Sequence, residues 1–357
     1  MTKRRQRERT RVPDTPRSRP LSGRIAVVAG ATRGAGRGIA RALGEAGALV
    51  YCSGRSVRGA PSAYGRPETI EETAEAIVAA GGAAVATRVD HTVEREVAAL
   101  FRRVDRKHRR LDVVVDSVAG EDPLNGQWCS FWKTNLANAE AGLRQSLLSH
   151  IITAKHAAPY MIRQGRGLMV EVTESDILGA GGNPITQSVK LALKGLALNM
   201  AAELRPYGVA AVSITPGFLR SETMLQGFGV TEENWRAGGE KDSNFLESES
   251  PLFVGRAVAA LAADPRVLER TGQLLSSWQL GRDYQFTDYD GRRPDWGAVE
   301  IDFSKHPREL LQLMRTGGEI QMQWLRDRTR NLESFLKQLP PAAVERSSSA
   351  ERRRRDR

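Results

Sequence analysis

An apolar run, Arg24-Ile25-Ala26-Val27-Val28-Ala29, leads straight into Gly30-Ala31-Thr32-Arg33-Gly34-Ala35-Gly36-Arg37-Gly38, and a helical pattern opens at Ile39-Ala40. Glycines placed this way have a chemical use. Gly30 permits a tight turn, while Gly34 and Gly36 let backbone approach a pyrophosphate at the positive end of the following helix. Glycine-rich turns also arise wherever left-handed geometry is needed. Here the strand before, the helix after and the βαβ unit that begins supply the confirming context. A second place for chemistry is the end of the next apolar run, Ser53-Gly54-Arg55-Ser56. NAD-binding chains put a carboxylate on the ribose hydroxyls at this point. No acid occupies this strand end, and Arg55, helped by Arg33, offers a planar fork to a 2′-phosphate. These residues, with Thr32 in the turn, predict an NADP(H) site.

The elements that must position them alternate along the chain. β-rich apolar runs lie near 24–30, 49–53, 83–89, 111–117, 167–173, 209–215 and 273–276, with helical periodicity between them, as at Ile70, Thr73, Ala74, Ile77 and Val78. The predicted fold is α/β: a Rossmann-type, doubly wound parallel sheet of about seven strands joined by crossover helices. It is expected to span 21–281. From Arg282 the pattern turns polar and aromatic through Tyr284, Phe286, Tyr289 and Trp296, which reads as a wrap over the domain surface. Helical spacing resumes from Leu310 to Leu339, with Leu332, Phe335, Leu336 and Leu339 on one face, and Pro340-Pro341 ends it. Residues 282–340 are therefore expected to form a C-terminal extension packing on the domain, and its apolar stripe leaves room for a homo-oligomer.

Charge narrows the function classes. The net charge is +11, but residues 1–20 hold eight Lys or Arg against Glu8 and Asp14, and residues 345–357 hold six Arg against three acids. Only +2 is left between them. Residues 1–20 and 341–357 thus read as basic disordered tails on a near-neutral body, which argues against a specific nucleic-acid partner. No run approaches the roughly 20 apolar residues of a membrane helix, and the arginine-rich start lacks a secretory core. A cytoplasmic protein without membrane partner follows. Two cysteines, Cys52 and Cys129, give neither a disulfide framework nor zinc-site spacing, so no metal is expected.

At this point the chain resembles the short-chain dehydrogenase/reductase family over roughly Leu21 to Ser277. That family's TGxxxGxG turn is matched from Gly30 to Gly36, with Ala29 in place of the threonine. Further matches follow in order. Asp90 looks like the adenine-contacting aspartate, and Asp116-Ser117-Val118-Ala119-Gly120 stands where the family has NNAG. Pro216-Gly217 resembles its PG turn, and Ser221 stands where a threonine often contacts the nicotinamide amide. The resemblance implies a small-molecule oxidoreductase, with Ala119, Gly120, Pro216, Gly217 and Ser221 lining the cofactor.

The same resemblance implies a catalytic serine, a tyrosine about 13 residues on and a lysine four residues later, the last two on one helix face. The phenol, with a pKa of about 10, is made more acidic by the ammonium. Only Lys190 keeps this register, so Thr186 stands in the tyrosine position and Thr173 in the serine position. No tyrosine lies between Tyr160 and Tyr207, and Arg144 stands where the family has a helical asparagine. A threonine hydroxyl is a far weaker acid than a phenol and does not simply take over its task. Four expectations stand side by side. A carbonyl/alcohol oxidoreductase takes its proton from Glu174, Asp176 or an aromatic of 284–289, or acts on a substrate that needs no strong acid. Otherwise a catalytically impaired NADP-binding chain serves as sensor or partner subunit, or the domain is a scaffold for its tails. His150 and His156, six apart, read as packing or surface residues; Trp128, Phe131 and Trp132 read equally as substrate mouth or core.

Overall fold

Seven β-branched or alanine-rich segments become strands: β1 (Ile25–Ala29), β2 (Leu49–Gly54), β3 (Ala83–Arg88), β4 (Val113–Asp116), β5 (Gly167–Val172), β6 (Val209–Thr215) and β7 (Leu274–Ser276), each within two residues of the bounds read from sequence. The computed structural model describes residues 19–62, 65–120, 131–174 and 184–299, together with Arg326. Among these residues the strands form one parallel sheet in the order β3-β2-β1-β4-β5-β6-β7. Ala29, at the end of β1, lies opposite Ser53 on one side and Asp116 on the other. The order reverses between β1 and β4, and it is outside the carboxyl ends of strands at such a reversal that ligands bind in open α/β sheets.

The helices are α1 (Gly34–Glu45), α2 (Ile70–Ala79), α3 (Glu94–His108), α4 (Leu136–Leu143), α5 (Ser149–Gln164), α6 (Pro184–Leu204), α7 (Glu222–Phe228), α8 (Pro251–Ala263) and α9 (Ser277–Asp283). Both sheet faces are covered, which is why β1, β4 and β6 are buried throughout. On one face Ile39 and Leu43 of α1, Ile77 of α2 and Val254 and Leu261 of α8 pack on Ala26, Val28 and Val50. On the other, Val97 and Phe101 of α3, Ile152 and Met161 of α5 and Leu204 of α6 pack on Val27, Tyr51 and Val114. Buried Cys52 is a free thiol on the first of these faces. Helices α1 and α8 touch backbone to backbone, since a Cβ on Gly38 would stand 1.9 Å from the Pro251 carbonyl oxygen. No described helix is long and apolar enough to cross a membrane.

Residues 284–299 lie back across the domain. Asp288 is buried and accepts from the Ser250 amide (2.8 Å) and hydroxyl (2.5 Å), with the buried Arg220 guanidinium 3.7 Å away. Arg220 also pairs with Glu232 at 3.0 Å and stacks 4.1 Å over the Trp235 ring. Asp288 is thus bound into the interior rather than laid over it. The helical pattern of 310–339 apart from Arg326, residues 1–18 and 341–357, Cys129, Trp128 and Asp176 lie outside the described residues, while Arg19, expected in the N-terminal tail, is held on the domain by its guanidinium donating to Gly81 O at 2.8 Å.

Candidate active site

The turn from β1 into α1 is held by two amides, Gly30 (2.9 Å) and Ala31 (3.1 Å), that share the Ser53 carbonyl. Gly30 has φ 75° and Gly34 φ 54°. A Cβ on Gly30 would lie 2.5 Å from the Ser117 oxygen, and one on Gly36 2.2 Å from the Gly30 oxygen. Backbone approaches backbone at both. Arg33 precedes α1 in extended conformation without a side-chain cap, and the first turn carries no acid. Its amides are therefore suited to an anion. Gly34 N–H shows as much by donating at 2.7 Å to the Glu222 carboxylate, whose other oxygen lies 3.4 Å from Arg37. Thr32 is buried, in the space left by Gly54, where a Cβ would stand 2.9 Å from its hydroxyl.

The sequence has no acid at the end of β2, where Arg55 stands, and Arg33 lies in the turn between β1 and α1. The fold brings two acids from elsewhere in the chain. Arg55 lies 3.8 Å from Asp90, which follows β3, and Arg33 lies 3.8 Å from Glu68, which precedes α2 and is also gripped by Arg66. Burial works to raise the Asp90 carboxyl, but hydrogen bonds from Thr92 and the charge of Arg55 hold it below its ordinary value. Three guanidinium groups thus face two carboxylates. The Arg55–Asp90 and Arg33–Glu68 separations of 3.8 Å are ion-pair distances, longer than a hydrogen bond, whereas Arg66 hydrogen-bonds Glu68 directly.

Across the crevice, β5 ends one residue before Thr173, whose amide donates to Ile214 O (2.8 Å) and whose hydroxyl donates to the Lys190 carbonyl (3.0 Å). Thr186 and Lys190 are one turn apart on α6. The fold therefore joins Thr173 to α6 although 17 residues separate it from Lys190. The Pro216-Gly217 turn follows β6, with the Gly217 amide donating to Glu249 (2.9 Å) and Trp296 packed where a Gly217 side chain would be. Ser221 caps α7, accepting from the Met224 amide at 3.3 Å. Beyond β4, Ser117 and Val118 abut Gly30, while Ala119 and Gly120 lie against Gln145. Glu174 is exposed. The aromatic proton sources considered from sequence are engaged elsewhere. Tyr284 is pushed up to about 12 by burial and by its bond to Asp264, and Tyr289 reaches the Glu232 carbonyl at 3.4 Å. Arg144, aligned with the family's asparagine, instead points to Thr92 O at 3.4 Å.

His150 is packed in the interior, the first of the two places expected for it, but with charged partners that its position in the sequence did not announce. It is fully buried between the register partners Asp116 and Glu171: Nδ1 lies 2.5 Å from Glu171, Nε2 3.3 Å from Asp116 and 2.9 Å from Val118 O. Burial disfavours its charge, but the two carboxylates outweigh that and carry its pKa up to about 9. A second buried acid, Glu249, is raised to about 8 chiefly by burial. The available signal was a charge inside an apolar strand, as in Leu168-Met169-Val170-Glu171-Val172. It indicates a buried partner without naming it.

Comparison with known proteins follows the same outline. A family model described as Enoyl-(Acyl carrier protein) reductase matches residues 30–274. Two curated relatives, both named Dehydrogenase/reductase SDR family member 1, are 36% (Mus musculus) and 35% (Homo sapiens) identical over 278 residues, covering 76% of this chain and 85% of theirs. Among solved structures, a hydroxysteroid dehydrogenase from Escherichia coli is 23% identical with a TM-score of 0.57, covering 72% of this chain and 95% of its own. A short-chain type dehydrogenase/reductase from Mycobacterium ulcerans is 22% identical with a TM-score of 0.59, covering 78% and 94%. At these identities the structures speak to the fold.

Proposed function

The chain belongs to the short-chain dehydrogenase/reductase family, and on that premise we propose that it is an NADP(H)-dependent oxidoreductase interconverting a small-molecule carbonyl and its alcohol. The observation that carries the reading is the convergence at one crevice of a glycine turn closed backbone on backbone and, opposite it, Thr173 joined to Lys190. The cofactor, when bound, supplies or accepts a hydride at its nicotinamide. The chain's own residues do the rest. Gly30, Gly34 and Gly36 present backbone to the pyrophosphate, and Arg33 and Arg55 neutralise the 2′-phosphate. Asp90, Ala119, Gly120, Pro216, Gly217 and Ser221 line adenine and nicotinamide, and Lys190 holds the ribose hydroxyls. Thr173 keeps an oxygen to direct at the substrate. Thr186 is too weak an acid to replace a phenol, so the proton exchanges with solvent or with the substrate itself.

One observation favours a second reading, cofactor binding without turnover: the Thr173 hydroxyl proton is already committed to the Lys190 carbonyl. The proposal extends to a homo-oligomer, because Leu143, Leu148 and Ile151 beside α5 and Leu198 on α6 expose apolar side chains of the kind a second copy covers. Calorimetric titration tests the cofactor assignment. NADPH should bind more tightly than NADH, and Arg55→Ala should remove most of that preference, a loss of about ten- to a hundredfold for one charge-assisted contact. Equal affinity of the unmutated protein for both cofactors would refute it.

A further inference from the structure

Between α4 and α5 the helix passes through one π-type turn, Arg144–Leu148. Such turns insert a residue and swing the following side chains to a new direction. Here they bring Gln145 and His150 to two consecutive carbonyls beyond β4. The Gln145 side-chain amide donates to Ala119 O at 3.1 Å, and His150 Nε2 donates to Val118 O at 2.9 Å. The fit at Gln145 is close, since a Cβ on Gly120 would stand 1.8 Å from its nitrogen. A carbonyl and the N–H of the next residue point opposite ways across a trans peptide, and no cis bond occurs among the described residues. Two carbonyls drawn toward α5 therefore turn the amides of Ala119 and Gly120 away from it. That direction leads to the face of α1, where Ser117 and Val118 already abut Gly30.

We propose that Gln145 and His150 are positioning residues for the nicotinamide cofactor, fixing the Val118–Gly120 backbone so that its N–H edge faces the cofactor crevice. This inference rests on the cofactor reading above and deepens it. His150 suits the role because the Val118 carbonyl only accepts, so Nε2 must carry a hydrogen. Asp116 from β4 and Glu171 from β5 keep the ring protonated, and a proton on each nitrogen lets it donate to Glu171 and Val118 together. His91 faces the cluster from beyond β3. It is pushed down chiefly by burial and tied to Thr153 (2.8 Å) and Ser53 (3.0 Å), so it adds no positive charge. Glu171 is two residues before Thr173 in the chain, and Glu171, His150 and Val118 thus link the end of β5 to the turn beyond β4.

Replacement of His150 by either amide separates the positioning role from simple packing. A glutamine amide nitrogen superposes on Nε2 and an asparagine amide nitrogen on Nδ1, so His150→Gln keeps a donor for Val118 and His150→Asn does not. NADPH affinity, measured by fluorescence titration beside Tm, should fall roughly tenfold in Gln145→Leu and His150→Asn, the loss expected for one hydrogen bond. His150→Gln should recover most of the loss seen in His150→Asn, although both variants bury an amide in place of the imidazole. Unchanged affinity in Gln145→Leu would overturn the proposal, as would equal losses in the two His150 variants that simply follow Tm. An unmutated protein binding neither NADPH nor NADH would overturn the cofactor reading and this inference together. Normal binding by all variants would overturn this inference alone.

Discussion

Glu249→Gln isolates the energetic cost of a buried carboxyl at the Pro216-Gly217 turn. One oxygen of Glu249 accepts from Gly217 N–H (2.9 Å) and from Ser277 Oγ–H (2.5 Å), and the other is buried without a hydrogen-bond partner. Burial dominates, and the group titrates at about 8 instead of 4.5. The sign follows from linkage. The folded state holds this proton where the unfolded state has released it, so wild-type stability is fully present below pH 4.5 and is lost as the pH rises toward 8. At 1.36 kcal/mol per pKa unit, the loss from about pH 5 to pH 7 is about 2–3 kcal/mol. Glutamine keeps an acceptor for both donors and does not ionise. Its NH2 group falls at the partnerless oxygen, which adds a penalty independent of pH. The difference in slope is therefore the quantity to measure. Urea unfolding of both proteins between pH 5 and pH 8 should show wild type losing about 2–3 kcal/mol more than the variant over the first two units. Parallel curves would refute the claim that Glu249 is held neutral.

Two further outcomes are expected. Gly38→Ala drives a Cβ to within 1.9 Å of the Pro251 carbonyl and should destabilise the protein by about 3 kcal/mol through the α1–α8 contact, read as a lowered denaturation midpoint. Glu222→Gln removes the negative charge resting on the Gly34 amide and should tighten NADPH binding roughly three- to tenfold at low salt, an effect that fades as salt is added; identical affinities at low salt would contradict it.

The fold was legible because its strands are short apolar runs separated by helical spacing, and burial on both faces makes such runs nearly continuous, as in Val113-Val114-Val115. The glycine turn was legible for a related reason. Close approach of backbone to backbone needs residues without a side chain, and Gly30 and Gly36 are the ones that allow it. Side-chain partners brought in by crossover connections were not legible. Asp90 and Glu68 reach Arg55 and Arg33 from beyond β3 and from before α2, and no local pattern announces either meeting. His150 looked like packing because its two carboxylates lie on different strands, and its distance from His156 along the helix carried no information about either. Glu249 was silent for the same reason, being a single acid in a Ser/Glu-rich loop whose burial depends on Ser277 and Gly217.

On the function proposed above, this chain turns over NADPH without a phenol at position 186. The direct measurement follows loss of NADPH absorbance over a panel of aldehydes and ketones, for wild type, Thr186→Ala and Thr186→Tyr, with cofactor titrations confirming that each is folded. Wild type should show detectable turnover, Thr186→Ala little change, and Thr186→Tyr a gain approaching the 10²- to 10⁴-fold typical of general acid catalysis. A wild-type protein that binds NADPH yet reduces nothing, beside a tyrosine variant that does, would contradict the proposed function in favour of a binding protein. Turnover abolished by Thr186→Ala would contradict the claim that this threonine is not the acid.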